Sequence, residues 1–204
     1  MLISILIPTL LERLDTYKSM VEDLYKQIKD NDLSDKVEVI SICDNRTVKL
    51  SDKRNKLQKM AKGKYFTHLD DDDKFTEDYC IKVVEHIESL EEDMDIIGYN
   101  QLSYVAEDIF VVKSSPHFGL KLEESPESAK YKDYKTYYRT PWQWCLFNRE
   151  RFGKVYRTDI DTNAMEDQNW LVRLHLERPK NYSHIDWIGH EYHFEKGVAG
   201  STCQ

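Results

Sequence analysis

Apolar residues fall along this chain in blocks that alternate between strand-like and helix-like spacing. Leu2 to Ile7 is nearly continuous apolar, the pattern of a strand covered on both faces, and Pro8 is expected to end it. From Leu11 to Asp30, the positions Leu14, Tyr17, Val21, Leu24, Tyr25 and Ile28 recur at helical spacing. Val37 to Cys43 is a second β-branched run. Ser51 is placed to cap a short helix through Met60, with Gly63 beyond its end. Tyr65 to Leu69 is a third strand, stopped by Asp70–Asp73. Thr76 is expected to cap a helix burying Ile81, Val84, Ile87 and Leu90, and Met94 to Tyr99 is a fourth strand.

Strands and helices alternating in this way predict an α/β protein: a Rossmann-like, mostly parallel central sheet flanked by helices. Such sheets bind ligands at the carboxyl ends of their strands, here Pro8-Thr9, Cys43-Asp44 and Leu69-Asp70. The second half changes character. Tyr104 to Lys113 reads as a hairpin, and Lys121 to Tyr134 as a polar surface loop. Trp142 to Asn148 reads as a strand, and Glu166 to Arg178 as a helix stopped by Pro179. The aromatic, His-rich stretch Tyr182 to Phe194 reads as an edge strand. No repeat or linker interrupts residues 1–204, so one domain is expected.

Composition narrows the function classes. The 204 residues carry 29 Lys+Arg against 37 Asp+Glu, a net charge of −8, with 40% hydrophobic residues and 7 glycines. That excludes a disordered or collagen-like chain and argues against general nucleic-acid binding. No apolar run approaches the ~20 residues of a membrane span. The start lacks a basic region, and Glu12-Arg13 follow its apolar run directly, so it is read as a strand rather than a signal peptide. Cys43, Cys80, Cys145 and Cys203 form no CxxC pair. Free thiols and a cytoplasmic location are expected, without structural zinc.

The segment Asp70-Asp71-Asp72-Asp73 carries the most chemistry. Two such charges ~4 Å apart repel by about 4 kcal/mol at an effective dielectric of ~20. Mn²⁺ or Mg²⁺ would relieve that repulsion and bridge phosphate oxygens. The plainer reading is a solvated loop leading into the next helix. An EF-hand fails, because Phe75 and Ile81 stand where it needs Gly and Glu. Glu166-Asp167 opens a helix, where ionised carboxylates are favoured. It offers either a base or an ordinary helix start. Residues 49–64 hold seven basic groups against Asp52, read as a solvated face or as a patch meeting an anionic acceptor, with Arg54 or Lys53 turned to a diphosphate.

Taken in order, ISILIPTL, Asp44, Arg54-Asn55, LDDDD and MEDQNW resemble the glycosyltransferases of family 2, which have the GT-A fold. The resemblance implies an inverting, DxD-containing enzyme with a nucleotide-binding half, 1–100, and an acceptor-binding half, 101–204. It implies a nucleotide-sugar donor, most simply a UDP-sugar, held by Pro8, Thr9, Asp44, Arg54, Asp70 and Asp71. Asp44 would accept from the pyrimidine, although Asn45-Arg46 departs from the family's usual Gly-Ser there. Asp72 would ligate the metal, joined by a tail histidine, His193 ahead of His190. Asp167 would be the general base and Glu166 would position sugar or acceptor. Trp142 and Trp144, expected on one strand face, are acceptor candidates alongside a core-packing reading, with Tyr137, Tyr138 and Arg139 just before them. Glycan, lipid and nucleic-acid acceptors stay open. So do two alternatives, a nucleotidyltransferase and a non-catalytic sugar-nucleotide or cation-binding module.

Overall fold

The computed structural model describes residues 1–126, 130–158 and 166–194. Its first half alternates strand and helix: β1 (Ile3–Leu10), α1 (Leu14–Asp30), β2 (Val37–Asp44), α2 (Leu50–Met60), β3 (Tyr65–His68), β4 (Lys74–Phe75), α3 (Tyr79–Ser89) and β5 (Ile96–Val105). The second half adds β6 (Asp108–Ser114), β7 (Glu123–Glu124), β8 (Lys135–Arg139), β9 (Leu146–Asn148), α4 (Arg149–Phe152), α5 (Glu166–Leu176) and β10 (Tyr182–Phe194). The sheet runs β2-β1-β3-β9-β5-β6-β8-β7, with β10 parallel to β5 and also paired to β4. The β2-β1-β3 core is parallel. β9 runs antiparallel between β3 and β5. No helix among the described residues is long and apolar enough to cross a membrane.

β1 is buried at all eight positions, as its unbroken apolar run requires. It does not stop at Pro8. Leu6 accepts from the Leu69 amide, so the even-numbered backbone groups of β1 aim at β3. Pro8, two residues on, lies past the last β3 partner, and its missing N–H interrupts no ladder. Gly63 answers a close approach rather than a helix end: a Cβ there would meet the backbone of Ile3, Ser4 and Tyr65 at 2.6–2.7 Å.

The expected caps move. Neither Lys49 before α2 nor Asp78 before α3 caps through its side chain, and Ser51 lies inside α2. Buried Gln27 of α1 instead bridges to α3, accepting from Cys80 N at 3.0 Å and donating to Thr76 O at 2.9 Å. This satisfies one of the orphan amides at the helix start. The Trp142–Asn148 strand shrinks to β9, because Trp142 to Cys145 is a turn closed by a 2.8 Å bond from Cys145 N to Trp142 O. β10 forms as expected, but pairs with β5 through ten residues rather than fringing the sheet. Cys43, Cys80 and Cys145 are free thiols, and Cys203 lies outside the described residues.

Candidate active site

The carboxyl ends of β1, β2 and β3 meet the first turns of α2 and α5. The buried side of α2 is mostly polar: Ser51, Lys53, Arg54, Leu57 and Gln58. Such a face is stable only against partners of its own kind. Lys53 Nζ donates to Thr9 O at 3.0 Å and to Asp44 Oδ1 at 2.5 Å. Asp44 Oδ2 accepts from the amides of Thr47 and Val48, both at 2.7 Å. Burial would raise the Asp44 pKa, but Lys53 and the two amides outweigh it and bring the carboxyl down to about 2. Asp44 thus holds the loop after β2.

The four aspartates diverge after β3, and arginines of the fold pair with Asp70 and Asp71. Asp70 pairs through Oδ1 with Arg54 and accepts at Oδ2 from Gln143 Nε2 at 2.9 Å. Asp71 turns back under β1, accepting from Thr9 Oγ1 at 2.7 Å and from Arg13 at 2.6 Å. It is 4% exposed. Both oxygens are committed, so the expected donor contact at Asp71 is replaced by an anchoring role. Asp73 lies 3.3 Å from Nε2 of buried His190. Asp72 alone projects outward, with Arg13 at 3.2 Å. Burial and the charges of Asp70, Asp73 and Asp71 outweigh Arg13 and push Asp72 up to about 7.

Arg54 joins this corner to α5. Its buried guanidinium pairs with Asp70, Glu166 and Asp167. Burial opposes its charge, but Asp167 and Asp70 hold it above its ordinary pKa. The group expected to face a diphosphate is therefore enclosed by three carboxylates. A second buried arginine, Arg157, reaches Glu166 Oε2 at 2.6 Å, Gln143 Oε1 at 3.3 Å and His68 Nε2 at 3.1 Å, over the Trp170 ring. A guanidinium only donates, so His68 accepts at Nε2. Burial and the two arginines keep that imidazole neutral, well below its ordinary pKa. Asn55 clamps the Arg157 backbone, donating to its carbonyl at 2.8 Å and accepting from its amide at 2.7 Å.

Glu166, 3% exposed between two guanidinium groups, does not reach the cleft as a sugar-positioning side chain; it holds the arginines. Asp167 is more open. Oδ1 faces Arg54, with Arg157 at 3.9 Å, and Oδ2 takes no partner among the described residues.

The aromatic and histidine candidates separate. Trp144 is 3% exposed and stacks on His190 at 5.6 Å, so it belongs to the core rather than to an acceptor surface. Trp142 is half-buried, with the Arg139 guanidinium carbon 3.3 Å from its ring centre. His193 is exposed on Tyr104, and it is His190 that lies against the acidic run. Nor is the basic stretch one face. Lys53 and Arg54 are buried, Lys64 pairs with Asp93, and Lys59 lies over Tyr156. Sequence reasoning missed Arg13, Arg157, His68 and Gln143. Only Gln143, a polar residue between two tryptophans in an apolar run, carried a local signal.

Residues 15–161 match Glycosyl transferase family 2, a span that ends just before Glu166. Among solved structures, the chain superposes on S. aureus TarS 1–349 in complex with UDP-GlcNAc (TM-score 0.65, 14% identity) over 100% of this chain and 62% of that one. S. aureus TarS 1–349 in complex with UDP is similar (TM-score 0.64, 14% identity, 96% of this chain and 61% of that one). The chain thus spans about three-fifths of those 1–349 chains. No curated protein sequence matches it significantly.

Proposed function

The chain belongs to glycosyltransferase family 2, and from that premise we propose that it is an inverting transferase moving a sugar from a UDP-sugar to an acceptor hydroxyl. The observation that carries the reading is the meeting of Asp70 and Asp167 on the Arg54 guanidinium. The strand-end acids, which suit a nucleotide donor, and the helix-start carboxylate, which suits a base, thereby share one corner. The UDP and UDP-GlcNAc bound in the TarS structures support a uridine donor for this fold.

In this reading Thr9 and Asp44 line the nucleotide seat and Asp70 faces the ribose. Asp167 Oδ2 takes the acceptor proton as that oxygen attacks the anomeric carbon, with the diphosphate leaving from the opposite side. Asp167 pairs with Arg54 through Oδ1 and stands in the first turn of α5, where the helix dipole favours negative charge.

A divalent cation fits the donor set at Asp72, whose outward carboxylate is crowded by the charges of Asp70, Asp73 and Asp71. Among the described residues no three His, Cys, Asp or Glu side chains converge on one point. Asp72 would therefore hold Mn²⁺ or Mg²⁺ together with phosphate oxygens and water, as Mg²⁺ sites often do. Bound there, the ion would neutralise charge on the departing diphosphate.

The test is release of UDP from UDP-GlcNAc and UDP-glucose by the purified protein, with and without Mn²⁺. Slow, Mn²⁺-stimulated release supports the proposal. Pyrophosphate release from UTP would indicate a nucleotidyltransferase instead, and neither product would indicate a binding module.

A further inference from the structure

Arginines around the cleft share a habit that one of them breaks. Arg13, Arg54 and Arg157 each face a carboxylate within 3.2 Å. Arg139, half-buried at the end of β8, faces none within salt-bridge distance among the described residues. Its guanidinium lies flat on Trp142, and Nη2 donates to Leu120 O at 3.2 Å. Nε is buried without a hydrogen-bond partner. Burial draws the group down to about 10, against opposing contributions that include Asp167. It is therefore a cation at neutral pH.

Chain geometry ties Arg139 to the same corner. Trp142 adjoins Gln143, whose amide donates to Asp70. A cation taken partly out of water without a counter-charge is unfavourable, and an incoming anion would relieve it. A planar guanidinium with donors to spare suits two oxygens of a phosphate or carboxylate.

We propose that Arg139, laid on Trp142, seats an anionic group of the acceptor, a phosphate or carboxylate close to the hydroxyl that Asp167 deprotonates. This rests on the transferase reading above and adds to it that the acceptor is charged. Trp142 then serves as the floor that holds the guanidinium flat rather than as a platform for a sugar ring. The donor diphosphate is the other source of such oxygens, and the test separates the two.

Calorimetric titration of the full chain, saturated with UDP and Mn²⁺, compares glucose 6-phosphate with glucose as minimal probes. Charge-assisted bonding predicts that wild type prefers the phosphate by about tenfold or more. Arg139→Gln should abolish that preference while binding UDP as wild type does, and Arg139→Lys should keep part of it. Should Arg139→Gln fail to fold, Arg139→Lys and Trp142→Phe provide the comparison, each expected to reduce the preference. Equal affinity for the two probes in wild type overturns the proposal. So does an Arg139 variant that loses UDP affinity and phosphate preference by the same factor, which assigns the group to the donor. Phosphate preference in a protein that releases no UDP from UDP-sugars would sink the transferase reading and leave the anion seat. Release of UDP without phosphate preference would do the reverse.

Discussion

At Asp167 the two carboxylate oxygens have different surroundings: Oδ1 faces Arg54, and Oδ2 has no partner among the described residues. Asp167→Asn keeps the shape and removes the proposed base. It should bind UDP-sugar as wild type does and lose about 10²- to 10⁴-fold in transfer rate. Transfer at the wild-type rate would remove the role. Arg157 makes a different prediction. Arg157→Met leaves Glu166 with one guanidinium instead of two in a buried site, which should lower stability by about 3–5 kcal/mol in urea unfolding. At this scale the sequence was legible where residue type and position coincide, as in acids at a strand end and at a helix start. Arg157 and Arg13 were not, because a loop or turn arginine reveals nothing about its partner until distant elements close around it.

At the scale of elements, the seam between β5, β6 and β10 is a continuous polar chain. Tyr182 meets Ser114 and His184, His184 meets Asn100 at 2.9 Å, and Asn100 and Lys113 both donate to Asp186. Burial draws His184 down to about 4. Between that value and the unfolded value of about 6.5 the unfolded chain binds more protons, so stability should fall as pH falls through this window. The effect is on the order of 2 kcal/mol by pH 4 after allowance for partial exposure. His184→Gln should flatten that limb of the stability profile. Glycines offer a second check. Gly63→Ala meets backbone that cannot move aside and should cost about 2–3 kcal/mol or more. Gly119→Ala meets nothing within 4 Å and should change stability by less than about 0.5 kcal/mol. Strand and helix existence was readable from periodicity here. Boundaries and caps were not, since Gln27 caps α3 from another helix and the turn at Trp142 breaks an otherwise strand-like run.

At the scale of the whole molecule, the sheet carries two acidic strand ends, at Asp44 and Asp70, to one edge beside the end of β1, and α5 arrives from the other half of the chain. If that edge is a UDP site, UDP with Mn²⁺ at 100 times its dissociation constant should stabilise the fold by about 2.7 kcal/mol, read as a rise in melting temperature. No shift with any nucleotide would count against the site. The sequence alone determined the alternation of strands and helices, hence an α/β sheet with ligand-facing carboxyl ends, and it placed acids there. Those features follow from local periodicity and local residue type. Tertiary structure decided which of those acids are neutralised. It turned Arg54 from a ligand-facing cation into the link between Asp70 and Asp167, buried Trp144 on His190, and left Arg139 with no carboxylate at salt-bridge distance among the described residues. The physical reason is that a charge's role depends on which opposite charge lies within a few ångströms, and that distance is set by contacts between residues far apart in sequence.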